Sequence, residues 1–68
     1  MNKEIIFIVE NSPDGGLTAK ALGESIFTEG DSESDLKRNI RDAVFCHFDT
    51  ELPSIIRLHY IRDEVIAL

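Results

Sequence analysis

The chain has 68 residues, with 7 Lys and Arg against 13 Asp and Glu, a net charge of −6 and 43% hydrophobic residues. A domain this size buries roughly 60% of the surface its unfolded chain exposes, so its core is thin and large cofactor enzymes are excluded. The acid excess repels phosphate backbones, which counts against direct DNA or RNA binding and favours a basic protein partner.

The composition is that of one ordinary globular domain over residues 1–68, with no linker, repeat or low-complexity segment. Cys46 has no second cysteine to pair with, which suits a reducing cytoplasm. The longest apolar run, Ile5 to Val9, falls far short of the ~20 residues of a membrane span, and the N-terminus lacks a signal-peptide pattern. A cytoplasmic protein with no membrane partner is expected.

Residues Glu4 to Glu10 are β-branched and aromatic, and read as a first strand. Ile5, Phe7 and Val9 line one face, Ile6 and Ile8 the other, the mark of an inner strand. Asn11 to Gly16 carries the strongest turn signal, with Pro13 presetting φ and the glycines accepting positive φ. Leu17 to Leu22 gives a second strand and Ser25 to Glu29 a short third. Gly30-Asp31-Ser32 then opens a helix, with Ser32 as N-cap and Asp35 in the acidic position of a capping box. Leu36, Ile40, Ala43, Val44 and His47 form its apolar stripe, with Phe48 at the margin and an end near Asp49. Ile55 to Ile61 is a fourth strand. Val65 to Leu68 either extends it or folds back as a fifth.

In a three-strand meander the third strand runs parallel to the first, and a right-handed helical crossover returns the fourth in that direction. Placing it beside the first makes the first strand internal. The expected fold class is therefore α+β, β-β-β-α-β, a mixed four-stranded sheet in the order 3-2-1-4 with one helix on one face. One helix leaves the other face uncovered, so a homodimer or higher homo-oligomer is expected. Its candidate interface residues are Ile6, Ile8, Phe45, Arg57, His59 and Ile61.

The apolar first strand, the Asp14-Gly15-Gly16 turn and Gly30-Asp31-Ser32 leading into the helix to Phe48 resemble the N-terminal domain of HicB antitoxins, in a short stand-alone subgroup. The resemblance covers roughly residues 3–49. It implies a partial RNase H-like fold and the covering of a small basic RNA-cleaving toxin, HicA. Full-length HicB antitoxins add a DNA-binding segment; the sequence to Leu68 carries none, so operator binding is not expected.

Catalytic chemistry finds little support. An RNase H-like nuclease needs clustered carboxylates, the first from the middle of strand one, where Ile6, Phe7 and Ile8 stand. Glu4 and Glu10 lie at that strand's ends and Asp42 on the helix's polar side. Cys46 and His47 diverge by about 100° on a helix and form no nucleophile pair. His47 reads as a buried or boundary residue with one hydrogen bond, and His59 as an edge or interface residue. Ser32 reads as a cap. No catalytic, metal or cofactor residues are therefore assigned. Phe45, among Arg38, Arg41 and Asp49 on the wet side of the helix, is either a lone surface aromatic or a contact residue. The rival to a protein-binding module is a homo-oligomer holding a small ligand at a subunit interface near His59.

Overall fold

Glu4–Asn11 forms β1, Leu17–Ala21 β2, Phe27–Gly30 β3, Glu33–His47 α1 and Ile55–Tyr60 β4. The computed structural model describes residues 4–48 and 52–68. The strands form one sheet in the order β3-β2-β1-β4, the order reasoned from the crossover rule. β1 is antiparallel to β2 and parallel to β4, while β2 is antiparallel to β3.

The β1–β2 turn closes through Ser12 N donating to Gly16 O at 2.7 Å and Gly15 N to Ser12 O at 3.0 Å. Gly15 sits at φ 101°, a region costly to residues with a Cβ. The β2–β3 turn is wider than the sequence indicates. Ala21 N donates to Ile26 O at 3.0 Å, so β3 begins at Phe27 rather than Ser25, and Ile26 turns into the core instead of joining the ladder.

Ser32 caps α1, its Oγ accepting from Asp35 N at 3.2 Å. The reciprocal half of a capping box is replaced: the Asp35 carboxylate takes Arg38 at 3.0 Å. The helix ends at His47, and Phe48 N donates to Val44 O at 3.0 Å; the anticipated end at Asp49 lies outside the described residues.

The core is one cluster on the helix side of the sheet. Ile5, Phe7 and Val9 of β1 and Ala19 and Ala21 of β2 face Leu36, Ile40 and Val44 of α1. Burying each larger side chain contributes roughly 1.5–3 kcal/mol. Ala19 and Ala21 are small, which lets the helix approach β2 and β3 closely; it makes no such approach to β4. Ile56 and Leu58 are consequently only partly covered, although they share a face with Ile5 and Phe7. Beyond Tyr60 the chain neither extends the sheet nor returns as a fifth strand. Residues 61–68 are exposed, after one last bond from Ile61 N to Val9 O at 2.8 Å.

Candidate functional site

With α1 on one face, no second layer covers the opposite face among the described residues. Strand pairing determines what it presents. Ile6 lies beside Arg57 and Ile8 beside His59 on β4, while Ile8 also pairs with Lys20 and Lys20 with Phe27. Leu22 follows in the next row, its N donating to Ile6 O at 2.8 Å. The result is an apolar centre of half-buried Ile6 and Ile8, widened by Leu22 at 54% and Phe27 at 64% exposure. Lys20, Arg57 and His59 set charge and polarity around it.

Arg57 is held in place by Glu4, Nη2 to Oε1 at 2.9 Å. This hydrogen bond, reinforced by the guanidinium charge, keeps the Glu4 carboxyl below its ordinary range and raises Arg57. The pair occupies the end of the face where β1 and β4 both begin.

Five of the six residues anticipated from sequence, namely Ile6, Ile8, Arg57, His59 and Ile61, belong to β1 or to β4 and its continuation on this side. Phe45 stands apart, exposed on α1, which covers the other face. Asp49, anticipated beside it, lies outside the described residues. Leu22 and Phe27 were not anticipated. The signal for Leu22 was the alternation Thr18, Lys20, Leu22, which carries the same face one row further.

Two sequence signatures also meet. A Cβ on Gly16 would lie 2.9 Å from Gly30 O, so the Asp14-Gly15-Gly16 turn and the Gly30-Asp31-Ser32 corner touch backbone to backbone. Beside them is a polar hollow of about 450 Å³ with Asp14, Glu29, Asp31 and Asp35 on its walls. Asn39 Nδ2 closes one side, donating to Glu29 O at 2.7 Å. Among the described residues no three His, Cys, Asp or Glu side chains converge in a way that could hold a metal ion.

His47 is more exposed than its place in the apolar stripe suggests. Its side chain is 37% accessible, with Nε2 3.1 Å from Glu24 Oε2 and its ring edge-on to Phe48. Its neighbour Cys46 is exposed. Among the described residues no helix is long and apolar enough to cross a membrane.

A four-stranded mixed sheet with one helix across one face defines a small α+β protein. The chain belongs to the UPF0150 family. It is 44% identical over 66 residues to a UPF0150 protein of Thermotoga maritima, covering 97% of this chain and 94% of the relative. It is 53% identical over 45 residues to a UPF0150 protein of Archaeoglobus fulgidus, 66% of this chain and 67% of that one. No family model matches the chain. No solved structure matches it.

Proposed function

We propose that the chain is a non-enzymatic protein-binding module, resembling a HicB antitoxin domain, that self-associates and covers a small basic HicA-like toxin. The observation that carries this reading is the uncovered sheet face, apolar at Ile6, Ile8, Leu22 and Phe27 and unopposed by any second layer among the described residues. Contiguous exposed apolar surface of this kind marks protein contacts. The net charge of −6 supports attraction of a basic partner, and the corner at Asp14, Glu29 and Asp31, beside the Asp35–Arg38 ion pair, concentrates part of it. The HicB likeness adds the partner's class: a small RNA-cleaving protein.

The test is isolation from the native host at low salt, where an electrostatic complex is tightest. The expected result is co-purification with a small basic protein whose cleavage of RNA stops on addition of this chain. Recovery of homo-oligomer without that partner, or RNA cleavage by the chain itself, overturns the reading. Self-association through the sheet face is checked separately by Phe27→Asp, which is expected to lower the oligomer mass.

A further inference from the structure

The helix side of the molecule holds a second unfilled surface. Because α1 sits over β2 and β3, a groove of about 310 Å³ opens between the helix and β4. Its floor is Ile40, Ile56 and Leu58, and its helix wall is Lys37 and Arg41. In a chain of net charge −6, a cationic wall over an apolar floor calls for an occupant that is both acidic and apolar.

The chain contains such a segment. Residues 61–68 run Ile-Arg-Asp-Glu-Val-Ile-Ala-Leu, with Asp63 and Glu64 immediately before the apolar end. Val65 is 92% and Ile66 78% exposed, so neither is covered by its own chain. The segment projects: the longest dimension is 51 Å against 22 and 19 Å, and the radius of gyration is 13.4 Å. A compact chain of this length has a radius of gyration of roughly 11 Å. Eight extended residues reach about 26 Å, enough to run the roughly 20 Å length of a six-residue strand such as β4.

We propose that this arm docks in the α1–β4 groove of a second copy of the chain, and that the second copy returns its own arm. Ile66 and Leu68, on one side of the extended arm, cover Ile56 and Leu58, and the Asp63-Glu64 pair brings its negative charge to Lys37 and Arg41. The exchange is two-fold, so both grooves and both arms are used and the assembly closes. It uses a different face from the sheet contact and does not depend on the toxin-binding reading.

Complementary charge reversal tests it. One variant carries Lys37→Glu and Arg41→Glu, the other Asp63→Lys and Glu64→Lys; all four positions are exposed, so both variants fold. Masses are measured by light scattering on each variant and on their equimolar mixture. Each variant alone is expected at half the mass of the unsubstituted chain, with the full mass restored on mixing. Val65→Asp with Ile66→Asp is expected to halve the mass and not to be rescued by either variant. A monomeric unsubstituted chain, or unchanged mass in either charge variant, overturns the exchange. So does a mixture that stays at the halved mass; an arm folded back on its own groove shows instead as a monomeric unsubstituted chain. Phe27→Asp reports on the sheet face alone, so failure of one contact is distinguishable from failure of the other.

Discussion

A Cβ built on Gly30 would lie 2.5 Å from the Leu36 amide nitrogen and 2.8 Å from its Cα. The last residue of β3 is thus pressed against the first turn of α1, and backbone cannot swing aside as a side chain can. Gly30→Ala is expected to destabilise the fold by about 1–3 kcal/mol, the usual range for overpacking. Urea unfolding followed by circular dichroism measures it.

Leu36, on the other side of that contact, is fully buried, whereas Phe45 is 58% exposed. Leu36→Ala is expected to cost about 2–5 kcal/mol through the cavity it leaves. Phe45→Ala is expected to change monomer stability by less than about 0.5 kcal/mol. Phe45→Asp asks whether the ring is a contact: unchanged mass and unchanged partner binding remove it from the interface.

Tyr60 is the chain's one tyrosine, and the chain has no tryptophan, so its ionisation is read without interference. Burial, and then the Glu33 carboxylate, raise its pKa above the ordinary value. The neutral phenol is favoured in the folded state. The linked stability is therefore present below the unfolded value of about 10 and is lost as pH rises through the folded one. Tyrosinate absorbance is expected to titrate later than in the urea-unfolded chain, and Glu33→Gln to bring the midpoint back towards it.

At the other end of β4, Arg57 lowers the Glu4 pKa, chiefly by hydrogen bonding. A depressed carboxylate contributes stability above its unfolded value of about 4.3, and that contribution is lost as pH falls through the folded value. The pair is exposed, so the sensitive readout is the NMR titration of the Glu4 carboxyl. Arg57→Gln is expected to return it to the ordinary range, and raised salt to move it part of the way.

The sheet order was legible because β1 is apolar on both faces, the mark of an inner strand, and because placing β4 beside it by a right-handed crossover makes it internal. The uncovered face was legible from Ile6 and Ile8 for the same reason. The start of β3 was not, because the Ala21–Ile26 bond is a choice of turn width that Gly23 permits without specifying. The lateral position of α1 was hidden too. It depends on Ala19 and Ala21 admitting the helix over β2, a packing decision with no periodicity of its own. Val65 to Leu68 left open an extension of β4 or a fifth strand because their apolar content is high, yet a strand needs a neighbour and the described residues supply none.

The two outer strands differ in length: β4 has six residues and β3 four. Stacking of β4 onto the β3 of another molecule would be head-to-tail and without limit, the geometry of a growing fibre. That addition pairs a long template with a short one that stops where Gly30 meets the helix, leaving β4 amides and carbonyls unmatched at every joint. Antiparallel pairing of β4 with another β4 matches six residues to six and leaves the shorter β3 at both outer edges. The mismatch weakens each head-to-tail link, so β4 finds its full complement of partners in another β4 rather than in β3.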